Sequence, residues 1–341
     1  MKSIVKGEGM FKLTLSGEHY SCRQDETVLD ALLRQNVNIS YACKSGTCHS
    51  CLVRSVDVMP STLAQVGLKD TLKNHRYFLA CQCHPEQDMT IKLPDQDDFY
   101  AEGTVVVKRL LNKNTILLII AVNDTFAFNA GQFVNLQRSD GLTRSYSIAC
   151  IPNHTNTLEF HIRRLPGGLF STWLHDELKV GDAIAVSEPR GHSFYMPERS
   201  EQNLLLVGTG TGLAPLAGIL ADALTQGHSG SIHLFHGSRE IEDLYKIEEM
   251  RELARQHKNV HYTPCLSGKH VPEGFAPGRV HNVALASIND LKGWRVFLCG
   301  HPEMVKQMQK LTFLKGASMA DIYADAFFVS QAQLDPERMA I

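Results

Sequence analysis

The chain is 341 residues long, with 43% apolar and 21% charged residues, which is material for two or three cores rather than one. Its 34 basic and 36 acidic side chains leave a formal net charge of −2, so no bulk field favours nucleic acid, and no basic stripe with interleaved aromatics marks a nucleic-acid face. The longest apolar run, residues 115–122, is strand-sized and too short for a membrane span, and residues 1–10 carry lysines without the apolar stretch of a secretory signal.

Residues 1–10 are expected to be a loose tail. Beyond them, residues 12–16 and 19–23 alternate around a Ser-Gly-Glu turn and predict a hairpin. A helix is expected from Thr27, where Thr27 and Asp30 resemble a capping box and Val28, Leu29, Leu32 and Leu33 share one face. The chain has nine cysteines. An odd count, with four crowded between positions 43 and 81, argues against a disulfide framework and for a metal site in a reducing, cytoplasmic compartment. The spacing is Cys43-x4-Cys48-x2-Cys51, followed by Cys81 after 29 intervening residues. Two irons need four thiolates in one small volume, so three come from a tight loop and a distant segment supplies the fourth. Ser45, Gly46 and Thr47 are small enough to turn backbone N–H groups toward cluster sulfurs. Zinc also takes four cysteines, but more often through paired short C-x2-C units, and here Cys51 and Cys81 have no second such pair. Cys83 competes with Cys81 for the fourth position. Cys81 follows the apolar run Phe78-Leu79-Ala80 and is preferred, which leaves Cys83 a structural thiol. Tyr41-Ala42-Cys43 through Cys51, with Leu79-Ala80-Cys81-Gln82, resembles the plant-type [2Fe–2S] ferredoxin family. His49 departs from that pattern, in which a small residue is usual; a solvated loop histidine or a rim contact for a partner are the two readings. Residues 93–100, polar and with a proline, read as a linker.

From 101 to 199, short β-rich segments alternate with Gly, Pro, Asn and Asp. Residues 104–108, 115–122, 132–136, 145–149, 158–163 and 183–187 are the candidate strands of a small antiparallel barrel. Gly131-Gln132-Phe133 and Arg144-Ser145-Tyr146-Ser147 together resemble the ferredoxin–NADP reductase superfamily. That resemblance implies that Arg144 pairs with flavin phosphate oxygens. It sets Tyr146 against the isoalloxazine ring and brings Ser147 to its reactive edge. Gly168, Phe170 and Ser171, at a helix start, would cradle the pyrophosphate on backbone N–H groups. His161, Ile162 and Arg163 would run along the adenosine side. Singly each motif could be an ordinary strand or turn; their order carries the weight. Members with an N-terminal ferredoxin carry FAD, so FAD is expected rather than FMN.

From 201 to 330, strands expected at 204–207, 232–235, 260–264 and 295–299 alternate with helices, which follow the first, second and fourth. This is the pattern of a doubly wound parallel sheet. The first strand runs into Gly208-Thr209-Gly210-Thr211-Gly212-Leu213-Ala214-Pro215, a phosphate cradle at a helix N-terminus. The spacing is not G-x-G-x-x-G. It resembles the superfamily's Gly-Thr-Gly-x-Ala-Pro, which implies that Gly210, Thr211 and Gly212 hold the dinucleotide with Thr211 near the nicotinamide. Alone, these glycines could be a tight turn. Cys299-Gly300-His301-Pro302 resembles the segment that sets a thiol near nicotinamide C4; a buried structural cysteine is the plain alternative. Residues 323–328 resemble the family's C-terminal segment, where Phe327 would cover the flavin and the Asp325 carboxylate would stand nearby. Arg239 could meet a 2′-phosphate, but Cys265-Leu266-Ser267-Gly268 lacks the Ser-Arg pair of NADPH-preferring relatives, so NADH is expected over NADPH.

The expected architecture is multidomain α+β and α/β. It comprises a β-grasp ferredoxin domain (10–94), an antiparallel β-barrel FAD domain (101–199) and a doubly wound parallel α/β nicotinamide domain (201–330). Over about residues 10–330 the chain resembles the reductase components of bacterial multicomponent oxygenases, such as those of benzoate dioxygenase, phenol hydroxylase and methane monooxygenase. The resemblance implies electron flow from NADH through FAD to the cluster and on to a separate oxygenase. Ser147, Cys299 and Asp325 would position groups and balance charge, and the cofactors would carry the chemistry. A monomer is expected, with no nucleic-acid or membrane partner; a quinone-reductase subunit of the same domain order has a membrane helix that this chain lacks. Two alternatives keep part of this reading: a deoxysugar dehydrase as acceptor, or a non-catalytic iron–sulfur sensor.

Overall fold

The computed structural model describes residues 10–37, 39–94, 100–122 and 126–328. The expected tail lies outside the described residues up to position 9, as do residues 95–99 of the expected linker. The described residues form two compact units: one runs up to Tyr100 and includes Asn135–Ser145, and the other comprises Ala101–Val134 and the chain from Tyr146 onward.

The first sheet opens with the antiparallel hairpin of β1 (Met10–Leu15) and β2 (Glu18–Arg23). Ser16 and Gly17 both have positive φ, 53° and 86°, the backbone of a type I′ turn whose twist suits a hairpin. The helix α1 (Val28–Arg34) begins where Thr27 accepts a hydrogen bond from the Asp30 N–H, one half of the expected capping box. Its buried face is Val28, Leu29, Ala31 and Leu32; Leu33 is only partly buried. Then come β3 (Leu52–Ser55), α2 (Asp70–Asn74), β4 (Tyr77–Leu79) and β5 (Met89–Lys92). The order β2-β1-β5-β3-β4, with β1 parallel to β5 and the other pairs antiparallel, is the β-grasp arrangement.

The second sheet contains β6 (Tyr100–Asn112), β7 (Thr115–Val122), β8 (Phe133–Gln137), β9 (Thr143–Ser147), β10 (Thr157–Arg163) and β11 (Ala183–Ser187), in the order β10-β7-β6-β11-β8-β9. The pairs β10–β7 and β6–β7 are antiparallel. One helix, α3 (Leu169–Asp176), follows β10. The strand expected at 145–149 is displaced by two residues. Ile148 and Ala149 are buried, but their main chains bond Gln132 and Glu159 outside the β9 ladder.

The third sheet is parallel. Its elements are β12 (Leu204–Thr209), α4 (Leu213–Thr225), β13 (Ile232–Ser238), α5 (Ile247–Gln256), β14 (Val260–Leu266), β15 (Ala276–Pro277), α6 (Val280–Ser287), β16 (Arg295–Gly300), α7 (Pro302–Leu314) and β17 (Ile322–Ala326). The order is β15-β14-β13-β12-β16-β17. The central strand β12 is covered on both faces, and Leu204 to Val207 are all at most 1% exposed, as a parallel strand requires. On one face α4 and α5 supply Leu213, Leu216, Ile219 and Met250 to the core; on the other α6 and α7 supply Val280, Ala284, Val305 and Met308. Each of these Leu, Ile, Val and Met side chains contributes roughly 1.5–3 kcal/mol through burial. The sequence reading missed α6, β15 and β17. Among the described residues, no helix is long and apolar enough to cross a membrane.

Candidate functional site

The loop between α1 and β3 carries Cys43, Cys48 and Cys51, and Cys81 follows β4 in a tight turn. Lys44, Gly46 and His49 all have positive φ, so the loop is tightly coiled and its N–H groups point inward. The N–H groups of Ser45 and Cys48 reach the Cys43 sulfur, both at 3.4 Å, and the Gln82 side-chain amide reaches the Cys81 sulfur at 3.4 Å. Hydrogen bonding from the Cys48 thiol, then from these backbone donors, holds the Cys43 thiol below its ordinary pKa. The Cys51 thiol, with Gln82 and the Gly46 N–H, does the same for Cys81. The four sulfurs therefore lie as two adjoining pairs, Cys43 with Cys48 and Cys51 with Cys81. Among the described residues, no three metal-binding side chains converge on the point a single ion would occupy. Paired thiols ringed by N–H donors fit a two-iron cluster.

Cys83 faces the other way. It is 1% exposed, next to Cys22 under α1, and burial pushes its thiol up to about 12. His49 is half-buried rather than a solvated loop residue, and its ring leans over Gly67, where an added Cβ would sit 3.5 Å from Nε2. One residue of this unit escaped the sequence reading. Asn135, 2% exposed, donates to the Cys48 carbonyl at 3.0 Å and accepts from Ser50 at 3.3 Å and Ser145 at 2.7 Å. A lone Asn in an apolar strand gave no motif to find it by.

On β9, Arg144 precedes Tyr146 by two residues, and its guanidinium donates to the Thr143 carbonyl at 2.5 Å. The half-buried Tyr146 ring lies 6.0 Å from the buried Phe170 ring, which packs in turn on Trp173 at 5.3 Å. Phe170 therefore props Tyr146 from behind, and only its main chain is left for a phosphate. Ser171 is spent on the turn before it, accepting from the Leu165 N–H and donating to the Gly168 carbonyl. No side chain caps α3 at Gly168, so its first N–H groups keep their capacity for an anion. The side chains of His161 and Ile162 point into the interior and Arg163 is exposed. A ring-shaped aromatic platform beside an uncapped helix start fits a flavin dinucleotide.

The expected trio meets at the C-terminal end of the parallel sheet. Register places Gly208, Cys299 and Asp325 side by side on β12, β16 and β17. The Ser147 hydroxyl donates to Asp325 Oδ2 at 3.4 Å. Burial raises the Asp325 carboxyl to about 6, with Ser147 opposing the shift, although the residue as a whole is only half-buried. Cys299 is fully buried, and burial and then the Asp325 charge push its thiol well up, so it is a neutral S–H at neutral pH. The Gly210–Gly212 turn passes so close to this row that a Cβ on Gly212 would lie 2.3 Å from the Cys299 carbonyl oxygen. Gly300, at φ 118°, is equally tight against Thr209. Half-buried Phe327 is tied by its N–H to the Gly300 carbonyl at 2.8 Å. A ~490 Å³ cavity lies beyond the ends of β13 and β14, lined by Arg239, Glu240, Ser267, Gly268, Lys269, His270 and Arg279.

Comparison with known proteins finds three matching domains along the chain. Residues 11–86 match the 2Fe-2S iron-sulfur cluster binding domain, residues 102–195 the oxidoreductase FAD-binding domain, and residues 206–310 the oxidoreductase NAD-binding domain. The chain is 33% identical over 307 residues to the ferredoxin–NAD(P)(+) reductase component of the naphthalene 1,2-dioxygenase system of Pseudomonas putida, covering 88% of this chain and 93% of that one. It is 32% identical over 332 residues to the reductase component of phenol 2-monooxygenase from a Pseudomonas species, covering 92% and 93%. Among solved structures, the ferredoxin reductase in carbazole 1,9a-dioxygenase aligns with a TM-score of 0.66 at 25% identity, over 94% of this chain and 99% of that one. With its cluster, FAD and nicotinamide domains in one polypeptide, the chain belongs to the family of iron–sulfur flavoprotein reductases that includes the reductase components of oxygenase systems.

Proposed function

We propose that this oxidoreductase takes electrons from NADH and passes them one at a time to a separate oxygenase or hydroxylase component. The modules would be residues 10–94 for the cluster, 101–199 for FAD and 201–330 for NADH. Bound FAD supplies the conversion between a two-electron donor and a one-electron cluster.

The protein's own part is placement. Cys43, Cys48, Cys51 and Cys81 would hold the cluster. Arg144, Tyr146, Ser147, Gly168 and Phe170 would hold the flavin, with the backbone of residues 161–163 and Ser171 shaping its adenosine side. Gly210, Thr211 and Gly212 would seat the nicotinamide dinucleotide, with Cys299 below it and Phe327 alongside. The observation that carries the reading is the Ser147–Asp325 hydrogen bond. It joins the flavin motif to the ligand-binding end of the nicotinamide sheet, beside Cys299. There the carboxylate accepts a hydrogen bond from the Ser147 hydroxyl and orients it.

Glu240 supports NADH over NADPH. Its carboxylate folds over Gly268, where a Cβ would meet it at 2.7 Å, and its Oε1 lies 3.5 Å from Arg239 Nε. An acid in that place suits a ribose hydroxyl and opposes a 2′-phosphate. The test compares cytochrome c, as a one-electron acceptor, with ferricyanide, which flavins reduce directly. NADH should drive both in the parent with a higher kcat/KM than NADPH, and Cys81→Ser should lose cytochrome c reduction alone. Equal loss of both activities, or a preference for NADPH, would contradict the reading.

A further inference from the structure

Three buried rings join the flavin-binding strand to the nicotinamide cradle, and of these residues only His161 touches a proposed site, through its backbone. His161 on β10, Tyr245 in the segment before α5 and His236 on β13 are 4%, 3% and 0% exposed. His161 Nε2 lies 2.9 Å from the Glu159 carboxylate, which can only accept, so Nε2 carries the proton. Its Nδ1 is then an acceptor, and the Tyr245 hydroxyl donates to it at 3.1 Å. His236 Nε2 lies 3.0 Å from the Gly210 carbonyl and must be the donor there. The Tyr245 ring meets both imidazoles edge-on, at 5.1 Å and 5.7 Å. Burial lowers the pKa of both histidines, that of His236 to about 4, so both rings are neutral at physiological pH.

The segment carrying Tyr245, residues 241–246, is a strap fastened to the barrel strands at its middle and at its C-terminal end. Asn112 at the end of β6 donates to the carbonyls of Asp243 and Leu244, at 3.1 and 3.4 Å. Lys246 reaches Glu159 at 3.4 Å while holding a left-handed backbone, φ 53°. A non-glycine residue keeps that conformation only where its surroundings fix it.

We propose that Tyr245 is a positioning residue: through His161 and His236 it sets the register of the Gly210–Gly212 cradle against the flavin-binding strand, and so the distance over which hydride is delivered. This rests on the reading that the cradle seats a nicotinamide dinucleotide. The Tyr245→Phe variant keeps the ring contacts and removes the donor, leaving His161 Nδ1 buried without a partner. Displacement of reacting groups by about an ångström costs on the order of tenfold to a hundredfold in rate.

The test is anaerobic stopped-flow reduction of the full-length holoprotein by NADH, expressed per bound FAD. For Tyr245→Phe the limiting rate of flavin bleaching should fall about tenfold. The dissociation constant for NADH should change less than roughly threefold, and flavin-to-cluster transfer after photoreduction should keep its parental rate. Asn112→Ala, which loosens the strap from outside the core, should lower the limiting rate by about threefold. A parental limiting rate in Tyr245→Phe, whatever its melting temperature, would overturn the proposal, as would a loss confined to NADH affinity. If Tyr245→Phe cannot retain FAD, Asn112→Ala decides alone, a slower limiting rate supporting the proposal and a parental one overturning it. A parent whose flavin NADH does not bleach would instead overturn the donor assignment.

Discussion

Asp325 is the residue whose behaviour follows most directly from its surroundings. Burial raises its carboxyl to about 6 from the ordinary value of 3.8. Between those values the folded chain keeps a proton that the unfolded chain releases, so this group draws stability down as pH rises through that window, with the full penalty above about pH 6. Asn at this position cannot ionise. Asp325→Asn should therefore gain melting temperature over the parent more at about pH 7.5 than at about pH 4; an equal offset at both would refute the shift. The cysteines separate as cleanly. Cys81→Ser should yield protein without the cluster's visible absorbance. Cys83→Ser should keep that absorbance and lose about 1–3 kcal/mol of stability by burying a hydroxyl. In the cavity beyond the ends of β13 and β14, Glu240→Gln removes the carboxylate that lies among Arg239, Lys269 and Arg279. The ratio of kcat/KM for NADPH over NADH should rise about tenfold, the equivalent of roughly 1.4 kcal/mol; an unchanged ratio would show that Glu240 does not face the ribose. The cysteine quartet was legible as a spacing, and Ser147, Cys299 and Asp325 as expectations carried by resemblance to the reductase superfamily. Asn135, Tyr245 and Glu240 were not, because the contacts of each form only when distant segments fold together.

At the scale of elements, the sequence reading held where hydrophobic period and turn chemistry agree. Ser16-Gly17 closes the first hairpin, and residues 115–122 form β7 as expected. It failed at edges. β15 is two residues long, and β17, Ile-Tyr-Ala-Asp-Ala, is half-buried throughout with an acid at its fourth residue, so neither shows the apolar run of a core strand. β9 was misplaced because Ile148 and Ala149 are as buried as ladder residues while bonding elsewhere. The meeting of the Gly210–Gly212 turn with β16 is the most demanding contact between elements. Gly212→Ala puts a Cβ 2.3 Å from the Cys299 carbonyl oxygen, and backbone must move to admit it. NADH-driven flavin reduction should fall by at least about tenfold while the cluster spectrum is unchanged. A Gly212→Ala variant with parental reduction kinetics would show that the cradle tolerates displacement.

For the whole molecule, the order cluster, flavin, nicotinamide could be read because each module carries its own loop chemistry: thiols on a coiled loop, an uncapped helix beside an aromatic platform, glycines after a parallel strand. The acceptor could not, since recognition of a partner lies in surface shape that no motif encodes. The central claim is that one chain carries electrons from NADH through flavin to the four-cysteine cluster. Anaerobic titration of the holoprotein with NADH, followed by visible absorbance and electron paramagnetic resonance, tests it most directly. Flavin and cluster together store three electrons and each NADH delivers two, so reduction should be complete at roughly 1.5 equivalents with a reduced [2Fe–2S] signal. Bleaching that stops at about one equivalent, with the cluster left oxidised and silent, would contradict the account.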